Sequence, residues 1–392
     1  MNKTRIITKS VWILAFVSMF TDMASEMLYP VMPVYLQSVG FSVMLIGVLE
    51  GIAEALAGLS KAYFGRWSDV TGRRVPFVQV GYGLSAIAKP MMAILAVPLW
   101  IFVARTLDRL GKGIRTGARD AILTEQSTNA TRGRIFGFHR SFDTVGAVIG
   151  PLMALVYLYY FPEDYRTLFL LAFIPGLLAI FASFRLKEGN TANGMQRKNT
   201  GFFSFIHYWK QSSAAYKKLV IGLLIFALIN SSDMFLLLKA KQSGLSDIMV
   251  IGVYILYNLV FAISAYPLGI LGDRIGLGRM FLLGVALFAL VYLSIGFQTD
   301  VFVIVLLFFV YGIYIAATEG VSKAWISNIV GEKDVATAIG TYTGFQSIAA
   351  MFSSSIAGVI WYSYGSEVTF TVAGLGAVAV FVYFCLKVKL DR

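Results

Sequence analysis

Apolar runs long enough to cross a bilayer recur from one end of this 392-residue chain to the other, and hydrocarbon leaves the backbone inside such runs few choices. Every N–H and C=O must be satisfied without water, so each run has to be helical, and each helix needs about 20 residues to cross a core of roughly 30 Å. Runs at 11–37, 43–64, 75–96, 99–121, 135–159, 167–185, 219–238, 248–268, 280–297, 301–325, 336–361 and 368–387 predict an all-α integral membrane protein with twelve transmembrane helices. Only 14% of the residues are charged, far below the usual share in a soluble domain. The amino-terminal stretch "MNKTRIITKSVWILAFVSMF" reads as the start of the first span rather than a cleaved leader, because the apolar residues continue past Pro30 to Leu36. One cysteine, Cys385, and two histidines, His139 and His207, give neither a disulfide framework nor a zinc-ligand cluster, so no metal and no cofactor are expected.

Charge sets the orientation. With both termini cytoplasmic, 22 of the 33 Lys and Arg residues fall in inside segments and 3 (Arg166, Lys239 and Lys241) in outside loops, which is the bias of the positive-inside rule. The net charge of +12 therefore reports a side of the membrane, not affinity for nucleic acid. The expected location is the plasma (inner) membrane, multi-pass. A polar, basic connection at 186–218 separates an N-terminal bundle, 1–185, from a C-terminal one, 219–392, of six spans each. Within it, "FFSFIHYW" is either an amphipathic helix at the cytoplasmic interface or part of a plain tether.

The two halves repeat each other. "GRWSDVTGRR" follows the second span and "GILGDRIGLGR" the eighth, with Gly65, Asp69 and Gly72 matching Gly269, Asp273 and Gly276 at one offset; "FTDM" in span one likewise matches "SSDM" in span seven. In span five, "GFHRSFDTVGAVIGPLMA" carries Gly137, Gly146, Gly150 and Pro151 at spacings that let helices approach closely and bend. On these motifs the chain resembles the major facilitator superfamily over essentially its whole length. The resemblance implies two six-helix bundles related by a pseudo-two-fold axis. It also implies a cytoplasmic latch made of Gly65, Asp69, Gly72, Arg73, Arg74, Gly269, Asp273, Arg274 and Gly276, with Val70 standing where the family has its first arginine. The span-five pattern resembles the family's antiporter signature, Ala154 replacing its last glycine, and so implies efflux. Glycine-rich packing without directional meaning is the alternative reading.

The fourth span, with "DRLGKGIRTGARD", is the unusual one. At 100° per residue, Arg105, Asp108, Arg109, Lys112, Arg115 and Arg119 fall within an arc of about 120° and run about 21 Å along the axis, too far to snorkel to a single headgroup layer. Charges at that depth are costly unless paired or facing water. The face either lines an aqueous cavity or belongs to a buried ion-pair network. The resemblance places spans one, four, seven and ten around a central cavity, which puts the stripe beside a substrate path. It departs from the drug exporters' Arg-x-x-Gln-Gly-x-Gly motif, keeping only Gly111 and Gly113, and so many cations suit an anionic or zwitterionic small molecule.

Acids supply the complement. Asp22 and Glu26 share a face of span one below Tyr29, and one of them is expected either to carry a proton or to form a static salt bridge with the fourth helix. Asp108 and Asp143 are further proton-coupling candidates, Arg140 with Asp143 being also a possible i, i+3 pair. Glu50 and Glu54 on span two are expected to pair with Lys89 on span three, and Glu319 with Lys323 on span ten. Candidate substrate contacts are Tyr29, Arg105, Arg109, Lys112, Arg140, Asp233, Glu319 and Gln346, with Tyr342 and Asn258 as possible hydrogen-bonding neighbours. The expected activity is proton-coupled export of a small organic compound by a secondary transporter working by alternating access. Proton-driven uptake of an organic anion or siderophore-like chelate is the alternative, and a membrane sensor the reading from another class. No nucleophile constellation or Gly-x4-Gly-Lys-Ser/Thr loop supports an enzyme or an ATP-driven pump. The other expected partners are protons and the lipid bilayer, with the protein a monomer.

Overall fold

A computed structural model describes residues 7–127, 132–188, 204–330 and 335–388. The described residues are helical almost throughout. In chain order the helices are α1 (Lys9–Glu26), α2 (Met32–Ser38), α3 (Val43–Thr71), α4 (Val75–Ile94), α5 (Pro98–Glu125), α6 (Arg132–Tyr160), α7 (Tyr165–Ser183), α8 (Ser204–Gln211), α9 (Ala214–Ile229), α10 (Met234–Gln242), α11 (Asp247–Ile275), α12 (Leu277–Ile295), α13 (Val301–Ile329) and α14 (Val335–Lys387).

Nine segments among the described residues are long and apolar enough to cross a membrane, and three further facts bring the total to twelve. Gly365, at φ 87° and ψ 170°, is the non-helical kink that divides α14 into two lengths, each long enough to make its own pass; a Cβ there would be strained. The third pass is α4 and the fourth is α5, whose charges keep it out of any apolar count. Spans one and seven are each made of two helices, α1 with α2 and α9 with α10. The first break holds Pro30, and Pro33 follows in the first turn of α2; neither can donate to the preceding turn. The second break has no proline.

The chain separates into two compact units, one of residues 1–40 and 52–200 and the other of 41–51 and 201–392. In the first, α1 packs on α6 and α7, and α4 on α5 and α7, around a core that includes Leu14, Val78, Tyr82, Ile122 and Leu123. Gly146 and Gly150 bring α6 onto α1: a Cβ would stand 2.3 Å from the Met19 carbonyl oxygen at the first and 2.4 Å from that of Met23 at the second. The second unit has an aromatic core in which Phe226, Phe281, Phe288 and Tyr314 stack edge to face. The "FFSFIHYW" stretch does contain a helix, α8, whose Trp209 packs against Phe345 and Tyr216 in this unit; Phe202 and Phe203 lie outside the described residues.

Candidate functional site

Glycine lets α5 sit deep in the first unit. Gly111 faces α4, where a Cβ would come within 2.6 Å of the Gly81 carbonyl oxygen; Gly113 and Gly117 face α3, at Ser60 and Gly65. The helix is thereby wedged between two neighbours, and its charged stripe is divided by what those neighbours offer.

The upper part of the stripe is a buried network. Lys89 of α4, 1% exposed, sends its Nζ to the Ser85 carbonyl at 2.9 Å and to Asp108 Oδ1 at 3.4 Å, while Arg105 approaches Asp108 Oδ2 at 3.6 Å. Arg115 donates to Ser85 Oγ at 2.6 Å and lies 4.7 Å over the Tyr82 ring. Arg109 pairs with Glu54 of α3 at 3.2 Å. Lys89 thus pairs with Asp108 and not with Glu50 or Glu54, because Gly81 and Gly111 draw α4 and α5 so close that the Asp108 carboxylate becomes the nearer partner. Lower down, Arg119 holds Asp120 at 3.0 Å and Ser18 at 3.2 Å, and Lys61 reaches Asp120 at 3.5 Å.

Lys112 behaves differently. It stands about 21 Å along the helix from Pro98, it is exposed, and among the described residues it forms no ion pair. It feels the charges of Arg109, Glu54, Asp22 and Glu26. Asp22, half-buried on α1, has no hydrogen bond or ion pair among the described residues, and it stands in electrostatic reach of Asp143, Arg115, Glu26 and Lys112. On α6 the side chain of Asp143 is buried, with Oδ2 3.4 Å from His139 Nδ1, and among the described residues Oδ1 has no hydrogen-bond partner. Arg140, 71% exposed, is 4.0 Å from the same carboxylate. The expected Arg140 and Asp143 pair is therefore loose, and His139 takes the closer position. His139 is missed at the level of sequence, where only metal-ligand spacing speaks for a histidine, although its i, i+4 relation to Asp143 is visible there. Ser85 and Tyr82, which hold Arg115, carry no signal in the sequence.

In the second unit Asp233 accepts hydrogen bonds from Tyr311 at 2.6 Å and from Tyr257 at 3.0 Å. Glu319 and Lys323 are both exposed and do not pair among the described residues, contrary to expectation. They line an open groove of about 450 Å³ with Phe261, Tyr266, Gly269 and Leu277. Tyr29 and Gln346 are half-buried in the first and second units respectively, Tyr342 is buried, and Asn258 turns back to the Tyr254 carbonyl of its own helix.

The latch residues are placed in part. Gly72 at φ 65° and Gly276 at φ 99° make the turns the motif requires. Arg73 and Arg274 are exposed, and Arg74 pairs with Glu125 while its backbone N–H donates to Glu188. The side chains of Asp69 and Asp273 lie outside what the structure describes, and Gly137 of the packing motif lies within α6. Pro151 sits inside α6.

The sequence model of the Major Facilitator Superfamily matches residues 14–256 and 234–392. An uncharacterized MFS-type transporter of Methanocaldococcus jannaschii is 31% identical over 95% of this chain and 94% of that protein. Multidrug resistance protein MdtG of Klebsiella pneumoniae is 26% identical over 35% of this chain and 34% of its own. Among solved structures, a variant of the nucleoside transporter NupG superposes with a TM-score of 0.82 at 14% identity, covering 97% of this chain and all of that one.

Proposed function

The chain belongs to the major facilitator superfamily and is a multi-pass membrane transporter, and from that premise we propose that it exports a small anionic or zwitterionic organic compound in exchange for protons, by alternating access. One observation carries the reading: Lys112, an exposed ammonium halfway along a spanning helix with no ion pair among the described residues, within electrostatic reach of Asp22. Such a charge facing lipid would cost several kcal/mol; facing a hydrated cavity, it is a ready contact for a carboxylate or phosphate.

The roles divide accordingly. Lys112 and Arg140 bind the acidic group of the substrate, and Arg109 joins them by exchanging Glu54 for it. Asp22 carries the proton: ionised, it holds the cationic group of a zwitterionic substrate whose acidic group rests on Lys112, and protonated it cannot, so proton and substrate compete at this carboxylate as exchange requires. Asp143 and His139 stand behind Asp22 as a relay. Asp108, held by Lys89 and Arg105, anchors α4 to α5. Export is the direction favoured by the span-five glycine pattern and by the partial similarity to MdtG, a multidrug resistance protein. We place the protein in a plasma membrane with both termini cytoplasmic, as a monomer, its bundles divided near 186–218.

Thermal unfolding of the purified protein against a panel of anionic, zwitterionic and cationic compounds identifies ligands by mass action. Compounds that stabilise the parent but not Lys112→Ala are then offered to everted vesicles with an acid lumen. Export predicts accumulation and alkalinisation of the lumen; loss of compound from preloaded vesicles would establish proton-driven uptake instead.

A further inference from the structure

Span seven is interrupted without a proline. α9 ends at Ile229, Asn230 departs from helix at ψ 87°, and α10 begins again at Met234. The Ser232 N–H is met by Ser354 Oγ at 3.1 Å, but among the described residues the carbonyls of Leu228, Ile229, Asn230 and Ser231 accept no hydrogen bond. These oxygens form the negative end of the α9 dipole.

The side chains around the break add more oxygen. The Asp233 carboxylate accepts from the hydroxyls of Tyr311 and Tyr257, one on each oxygen. Asn230 gives its Nδ2 to the Tyr314 hydroxyl at 2.9 Å, and its buried Oδ1 has no hydrogen-bond partner among the described residues. Tyr292, 1% exposed, stands in the field of Asp233 beside Ser231 and Tyr311, and among the described residues its hydroxyl makes no hydrogen bond of normal geometry. Among the described residues, Asp233 is faced by Tyr257 from α11, Tyr292 from α12, and Tyr311 and Tyr314 from α13, where Glu319 bears on Tyr314.

We propose that the break in span seven is a binding site for a small monovalent cation of the sodium class, formed by the Asp233 carboxylate, Asn230 Oδ1, the Tyr292 hydroxyl and the free carbonyls at the end of α9. Hard cations take oxygen ligands, and unwound backbone at mid-membrane is where transporters hold them. A proton would satisfy one oxygen and leave the others unmatched. A divalent ion would leave an uncompensated charge beside a single carboxylate. The site lies wholly in the second unit and does not depend on the export reading.

The test is thermal unfolding of the full-length protein in detergent, titrated with sodium chloride against choline chloride at constant ionic strength, with lithium, potassium and magnesium arms and at two pH values. Saturable stabilisation by sodium is expected, absent in Asp233→Asn and shifted to about tenfold higher concentration in Tyr292→Phe and Asn230→Ala. Tyr292→Phe keeps the ring packing, so its unfolding temperature without sodium should match the parent, which covers the case in which Asp233→Asn does not fold. Superimposable sodium and choline curves, an undiminished sodium response in all three variants, a response to magnesium alone, or stabilisation reproduced by acid in choline would each overturn the proposal.

Discussion

At the scale of single residues, the stripe on α5 separates into groups that hold the protein together and groups left available. Arg105 and Lys89 belong to the first kind, 5% and 1% exposed and facing Asp108. Removing one strands a buried charge, which costs about 3–5 kcal/mol. Lys112 and Asp22 belong to the second, since neither has an ion pair to lose among the described residues. Lys89→Ala is therefore expected to lower thermal stability markedly, whereas Lys112→Ala keeps the parent's unfolding temperature and weakens binding of an anionic ligand by about 10- to 100-fold, the worth of a charge-assisted hydrogen bond. Asp22→Asn should fold normally, bind ligand with little pH dependence and lose uptake driven by a pH gradient in everted vesicles. Unfolding curves and ligand titrations on the three variants decide it; a Lys112→Ala protein as unstable as Lys89→Ala would place Lys112 in the structural network. The sequence alone reveals that the stripe exists, because helical periodicity needs no tertiary contact. It cannot divide the stripe, because Lys89 and Glu54 choose their partners by how closely α4 and α3 approach α5.

At the scale of elements, small residues decide which helices touch. Gly146 and Gly150 carry the antiporter-like pattern of α6, and both press on the α1 backbone, on either side of Met23. That contact fixes the placement of Asp22 relative to Asp143. Gly146→Val would force α6 away from α1; overpacking of this kind costs about 1–3 kcal/mol. The expected result is a lower unfolding temperature together with a changed pH dependence of ligand binding, while Gly83→Val, where nothing lies within 4 Å of an added Cβ, should do neither. Measuring both variants separates a packing effect on the carboxylates from a general penalty for losing a glycine. The glycine spacings in α5 and α6 are legible in the sequence as close-packing signals, because small residues at helical intervals mark a face that a neighbour can approach. The break at Asn230 to Asp233 is not, since four polar residues in an apolar run look the same whether helical or unwound; only the position of Ser354 and the tyrosines on α11, α12 and α13 makes unwinding tolerable.

At the scale of the whole molecule, the lysines and arginines argue for one orientation. The positive-inside rule weighs basic residues in short loops near the ends of spans, and here the segments assigned to the cytoplasm include 186–218, with its basic cluster, whereas 296–300 holds no lysine or arginine. Crossing twelve times keeps both termini on one side, so a single pair of labels reports the arrangement. Cys385 is the chain's one cysteine, and Cys385→Ser provides a background free of thiol. In it, Thr299→Cys, at the exposed turn before α13, is expected to react with a membrane-impermeant maleimide in intact cells. Lys187→Cys, exposed after α7, is expected to react only in everted vesicles. Labelling of both from the same side would mean an even number of crossings between them, where the twelve-span arrangement has three. The broken span seven is the one segment there whose ability to cross rests on two half-helices, α9 and α10, of 16 and 9 residues, neither long enough to span alone. The same experiment therefore asks whether polar, unwound backbone at mid-membrane is held by protein contacts strongly enough for the segment to cross, which is the condition on which an ion site at Asp233 depends.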